Sequence, residues 1–181
     1  MSATFVVYLE DKPGVLNRVA SLFRRRAFNI ESLTVGHTET AGVSRMTLVV
    51  EAEGEAARRI EANLYKLVNV LRVYNITASP AVYRDLAMIK VATTHESRPH
   101  VMQLADVFRA RVVDVSLDSM VIETTGPPDK IDSLLEVLRP FGVIEMVRTG
   151  RVAMARGPRP ANDAEPELQK TRDDEGLSQS V

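Results

Sequence analysis

The residues best suited to chemistry lie in two short strings, Leu9-Glu10-Asp11-Lys12-Pro13-Gly14-Val15-Leu16 and Phe28-Asn29-Ile30-Glu31-Ser32-Leu33. The first reads as a strand that breaks on an Asp and a Gly and turns into a helix. A helix start has backbone N–H groups without intrahelical partners and a partial positive charge, so it suits a carboxylate. Gly14 has no side chain to block close approach. Asn29 sits where a helix returns into a strand, and its amide can donate to a carboxylate or accept from an ammonium. Together these groups suit a small zwitterion that is sensed and not transformed. Each feature also has a plainer use: a capped helix with Gly14 serving the turn, and an Asn in an ordinary connection.

Other candidate chemistry is weaker. Arg24-Arg25-Arg26 places cations at a helix C-terminus, where the macrodipole favours them. The strand Ser44-Arg45-Met46-Thr47-Leu48-Val49-Val50 has none of the aromatics that RNA-binding sheets use for stacking. His95 and His100 are five apart and Pro99 interrupts them, so no zinc helix is expected. Gly126-Pro127-Pro128-Asp129-Lys130 lacks the pattern of a phosphate loop, and no nucleophile elbow or triad spacing is present.

The elements that must position these residues follow from pattern. Thr4 to Glu10 is β-branched and aromatic, hence a strand. Pro13 to Arg26 carries Val15, Leu16, Val19, Ala20, Leu22 and Phe23 at helical spacing, with Asp11 as the expected N-cap and Pro13 in the first turn. Strands are expected over 29–35 and 43–51, a helix over 55–68 and a strand over 70–77. In the strand at 43–51, Met46, Leu48 and Val50 face one way and Arg45, Thr47 and Val49 the other. The order βαββαβ is ferredoxin-like. It recurs as strand 83–94, helix 98–109, strands 110–117 and 120–125, helix 128–139 and strand 143–155, after a linker at Ser79-Pro80-Ala81. The fold class is α+β, with two tandem ferredoxin-like domains at 3–78 and 82–156. The segment 157–181 has six acidic and three basic residues, three prolines and no aromatics. It is expected to be a disordered tail.

Composition bounds the function. The 181 residues suffice for one large or two small domains. A net charge of −1 gives no bulk attraction to nucleic acid or anionic membrane. The chain has no cysteine, which excludes disulfides and thiolate metal sites and fits a reducing, cytoplasmic setting. Met1-Ser2-Ala3-Thr4 lacks a basic region and runs straight into strand-like sequence, so no signal peptide is expected, and no apolar run reaches the length of a membrane helix.

Asp11-Lys12-Pro13-Gly14-Val15-Leu16 resembles the ligand turn of ACT domains, which bind amino acids. Asn29-Ile30-Glu31-Ser32-Leu33, Ser44-Arg45-Met46-Thr47, Lys66-Leu67-Val68-Asn69-Val70-Leu71-Arg72-Val73 and Val147-Arg148-Thr149-Gly150-Arg151 are similar to a narrower group, the small regulatory subunits of acetolactate synthase. The resemblance spans about residues 3 to 157. It implies a non-catalytic chain that pairs with itself through its ACT domains. It implies a large catalytic partner that carries thiamine diphosphate, magnesium and FAD. This chain would activate that partner in branched-chain amino-acid synthesis and make it sensitive to valine, with leucine or isoleucine binding more weakly. The positions that match the family's valine site are Asp11, Gly14, Val15, Asn29 and Ile30. Bacterial members often carry Asn at the position of Asp11. An acid there would meet the ligand ammonium or cap the helix, leaving the Gly14 N–H and Asn29 for the carboxylate. The rival readings are a free-standing amino-acid sensor, a nucleic-acid-binding ferredoxin-like protein and a structural scaffold.

Overall fold

The computed structural model describes residues 2–157, and the expected tail lies outside them except for Gly157. The first unit comprises β1 (Ser2–Glu10), α1 (Val15–Arg25), β2 (Ile30–His37), β3 (Val43–Glu51), α2 (Gly54–Leu64) and β4 (Val70–Asn75). Its sheet is antiparallel, in the order β2-β3-β1-β4. Alternate residues Phe5, Val7 and Leu9 of β1 and Met46, Leu48 and Val50 of β3 point to one side. There they meet Val15, Val19, Leu22 and Phe23 of α1 and Ala57, Ile60 and Leu64 of α2 to form one core.

The second unit repeats the plan with β5 (Ala81–Ala92), α3 (Arg98–Val107), β6 (Arg111–Val115), β7 (Ser119–Gly126), α4 (Pro128–Leu138) and β8 (Val143–Arg148). The strand order β6-β7-β5-β8 matches the first sheet position for position. Ile89, Val91, Met120 and Ile122 pack against Val101, Ala105, Leu134 and Leu138 of the helices. The fold is the expected pair of ferredoxin-like units.

Several local expectations need correction. The helix expected over 55–68 stops at Leu64, and Val68 is 91% exposed, not on the buried face. The last strand expected at 143–155 is two strands, β8 and β9 (Val152–Ala155), both antiparallel to β5 and separated by a one-residue bulge within residues 149–151. The connection between the units is residues 76–80 and not 79–81, because β4 ends at Asn75 and Ala81 already belongs to β5.

The break before β9 has a structural purpose. β9 pairs antiparallel with the first residues of β5, Ala81 with Ala155 through Arg84 with Val152. This ribbon covers the back of the first sheet, the face turned away from its helices. Val6, Ile76 and Ala153 are buried there, with Tyr8, Tyr74, Ala81 and Tyr83 packed around them. Thr47 and Val49, the outward side of β3 by sequence alternation, are each only 2% exposed.

Candidate functional site

β1 ends at Glu10, and the chain is tied down on both sides of the break. Glu10 N–H donates to Asn69 C=O at 2.9 Å, and Asp11 N–H donates to Gly42 C=O at 2.8 Å. The Asn69 amide donates to Glu10 Oε2 and accepts from Arg18 Nη1 at 2.6 Å, so one Asn links the turn, the first helix and the start of β4. The Asn69 amide, assisted by Lys12 at 3.3 Å, holds the Glu10 carboxyl below its ordinary value against the opposing effect of burial.

Lys12-Pro13-Gly14-Val15 is a β-turn, closed by Val15 N–H to Lys12 C=O at 3.4 Å. Pro13 presets its first corner. Gly14 takes the second with φ +83° and ψ −8°, the values of a type II turn, which require φ > 0 at that position. Gly14 is therefore itself the N-cap of α1, and no side chain caps the helix. This corrects two expectations. Asp11 is not the N-cap, and Pro13 stands before the helix and not in its first turn. The ladder of α1 begins with Arg18 N–H to Gly14 C=O at 3.1 Å. The N–H groups of Leu16 and Asn17 thus emerge from the helix end.

Asp11, relieved of capping, is exposed, and its Oδ2 lies 3.2 Å from Nδ1 of His37 at the far end of β2. Leu16, which spacing assigned to the buried face, is 46% exposed beside the open N–H groups. His37 and Gly42, missed as neighbours of the turn, arrive through strand pairing, which leaves no local mark in the sequence.

Asn29 and Ile30 do not join this cluster within one chain. Asn29 is exposed, and Ile30 pairs with Val50, whereas Glu10 pairs with Val43. The two halves of the expected site lie at opposite ends of the sheet, roughly 25 Å apart at the usual rise per strand residue.

β2 is an edge strand, hydrogen-bonded to β3 alone among the described residues. Thr38 N–H donates to Val43 C=O at 3.1 Å, which sets the alternation of bonded rungs along the pair. Thr34 and Gly36 turn their N–H and C=O groups towards β3, while Val35 and His37 turn theirs outward. The outer edge of β2 is a template for a further strand.

Comparison with known proteins agrees with this architecture. Residues 84–157 match the family described as the small subunit of acetolactate synthase, and residues 5–72 match the small-subunit-like ACT domain of the same enzyme. The acetolactate synthase small subunit of Mycobacterium leprae is 51% identical over 156 residues, covering 86% of this chain and 92% of the relative. That of Bacillus subtilis is 47% identical over 158 residues, covering 87% and 92%. The crystal structure of the Thermotoga maritima small subunit superposes with a TM-score of 0.81 at 37% identity, covering 88% of this chain and 99% of that one. Fold, family matches in both units and relatives of nearly full length agree: the chain belongs to the acetolactate synthase small-subunit family.

Proposed function

We propose that this chain regulates the large catalytic subunit of acetolactate synthase, raising its activity and making it sensitive to valine. The thiamine diphosphate, magnesium and FAD chemistry would reside in that large subunit. The observation that carries the effector site is the type II turn at Gly14, which opens the Leu16 and Asn17 N–H groups beside a free sheet edge.

Two copies pairing β2 antiparallel about Val35 set the Asn29 end of one strand against the His37 end of the other. Asn29 and Ile30 of one copy then approach the Asp11–Val15 turn of its mate. Asp11 takes the ammonium. The Gly14 backbone, the open N–H groups of α1 and the Asn29 amide take the carboxylate. Exposed Leu16 and partly exposed Ile30 offer apolar surface to the side chain. Full burial of an isopropyl group contributes about 1.5–3 kcal/mol. One methylene discriminates by only about 1–3 kcal/mol, so leucine and isoleucine bind too, more weakly.

Thermal unfolding of the purified chain against a panel of amino acids tests the site. Valine at about a hundred times its dissociation constant adds ~2.7 kcal/mol of stability. The expected order is valine, then leucine and isoleucine, with no shift from glutamate. In the reconstituted enzyme, Gly14→Asp places bulk and negative charge at the carboxylate position. It should abolish valine inhibition while leaving activation intact. A folded, activating Gly14→Asp chain that keeps full inhibition would place the site elsewhere. A chain that binds valine but never associates with the large subunit would be a free-standing sensor instead.

A further inference from the structure

Two of the strings that carry the family likeness, Asn29–Leu33 and Val147–Arg151, meet in space. Their contact joins Ser32 and Arg151, 119 positions apart. Arg148, the last residue of β8, and Thr149 after it grip the second unit. Arg148 Nε and Nη2 both reach Asp85 Oδ2, at 2.8 and 2.7 Å, and Nη1 reaches Asp132 Oδ1 of α4 at 2.8 Å. Thr149 N–H donates to Leu86 C=O at 2.9 Å, and Leu86 N–H donates to Thr149 Oγ1 at 3.0 Å.

The next two residues grip the first unit. Arg151 N–H donates to Ser32 Oγ at 2.7 Å. Gly150 lies so close to β2 that a Cβ would stand 2.8 Å from both the Leu33 carbonyl oxygen and Ser32 Oγ, and nearer still to Thr34 Oγ1. Gly150 is needed for space and not for its backbone angles. Beyond the bulge, the Arg45 guanidinium of β3 donates to Ala153 C=O.

We propose that Arg148–Arg151 is a clasp coupling β2 to the C-terminal unit, with Ser32 and Gly150 as its positioning residues. Through it, a ligand at Asn29–Ile30 alters the seating of residues 148–155. The effector half rests on the valine reading above; the mechanical coupling does not. β2 carries both ends of the connection. Ile30 begins the strand, and a register shift between Ile30 and Ser32 puts an irregularity directly before the clasp. A ligand that draws in Asn29 and Ile30 therefore moves the residue from which Ser32 takes its register.

A cavity of about 450 Å³ opens beside the clasp. Asp85 and Arg151 are among the residues that line it, and Asp85 Oδ1 and Arg151 Nε are closed to solvent without a hydrogen-bond partner.

The test uses the full chain as wild type, Ser32→Ala and Gly150→Ala. Calorimetry without ligand reads the coupling. Wild type should unfold in one transition, and the variants should split into two. An unchanged single transition in both variants overturns the clasp. Hydrogen exchange with and without valine reads the relay. In wild type, valine should slow exchange at 11–15, 29–31 and 148–155; in the variants the response at 148–155 should be lost and that at 11–15 kept. With the large subunit, the valine concentration for half-inhibition should rise about tenfold, within the usual range of coupling factors. Variants that keep the wild-type response at 148–155 and full inhibition overturn the relay. Absence of any valine response at 11–15 in wild type would overturn the effector reading and the relay, leaving the coupling to calorimetry. Should Gly150→Ala fail to fold, Ser32→Ala, which removes one oxygen, carries each arm.

Discussion

At Gly14, conformation and chemistry separate cleanly. No atom lies within 4 Å of where a Cβ would stand, yet the backbone has φ +83°. A side chain there is opposed by backbone geometry and not by crowding. Gly14→Ala should cost about 1–2 kcal/mol, the penalty of a left-handed residue, seen as a lower urea midpoint. Gly14→Asp adds a charge at the proposed ligand position, and its effect on valine should exceed that of Ala. Glu10 makes a second prediction at this scale. The Asn69 amide, with Lys12, lowers its folded-state value below that of the unfolded chain. Its contribution is therefore complete above the ordinary glutamate value and is lost as pH falls through the lowered folded value. Urea midpoints measured from neutral pH down through the carboxylate range should fall less steeply in Glu10→Gln than in wild type.

At the scale of elements, β5 shows what a sequence can and cannot disclose. Ile89 and Val91 alternate into the core of their own unit, Ala87 before them is buried in the same phase, and that alternation reads directly as a strand. Ala81, Tyr83 and Asp85 lie on the same side but seal the first unit's sheet or pair with Arg148, and no local period marks that change of duty. The helices, the element order and the core-facing positions were legible because each depends on spacing within one segment. The covered back of the first sheet was not. Thr4 and Thr47 are 3% and 2% exposed, but a Thr on an alternating strand reads as solvent-facing until its cover is known. The Asp11–Val15 turn was legible as a turn and misread in detail: a Pro-Gly corner closes before the helix, so Gly14 takes the cap assigned to Asp11. Asp85 makes the element-scale prediction. Its side chain is 7% exposed, and Arg148 supplies its charge partner. Arg148→Ala should cost about 3 kcal/mol by stranding that carboxylate, and Arg148→Lys should restore only part, lacking the fork that reaches Asp85 and Asp132 together. Val68→Ser, at a 91% exposed position, should change the urea midpoint by less than the equivalent of about 0.5 kcal/mol.

For the whole molecule, the placement of Asp11 and Asn29 at opposite ends of one sheet turns the proposed effector site into a question of assembly. If both act on one ligand, they come from two chains, and a two-fold pair has two such seams. A chain carrying Gly14→Asp spoils the turn half of a site, and a chain carrying Asn29→Ala spoils the strand half. Each variant alone should bind no valine. In a mixed pair one seam combines both damaged halves, and the other combines the intact turn of the Asn29→Ala chain with the intact Asn29 of the Gly14→Asp chain. Unfolding the two variants together and refolding them should therefore restore binding. With random pairing, roughly a quarter of all sites are rebuilt, at wild-type affinity. Calorimetric titration of the mixture reads both the number of sites and their strength. A site built within a single chain predicts no recovery at any mixing ratio, because every copy then carries one damaged half. Recovery also depends on β2 being the shared edge. Val35→Pro, at the outward-facing centre of that strand, removes an N–H that the pairing needs. It should abolish recovery, and sedimentation should show monomers where the parent mixture shows pairs.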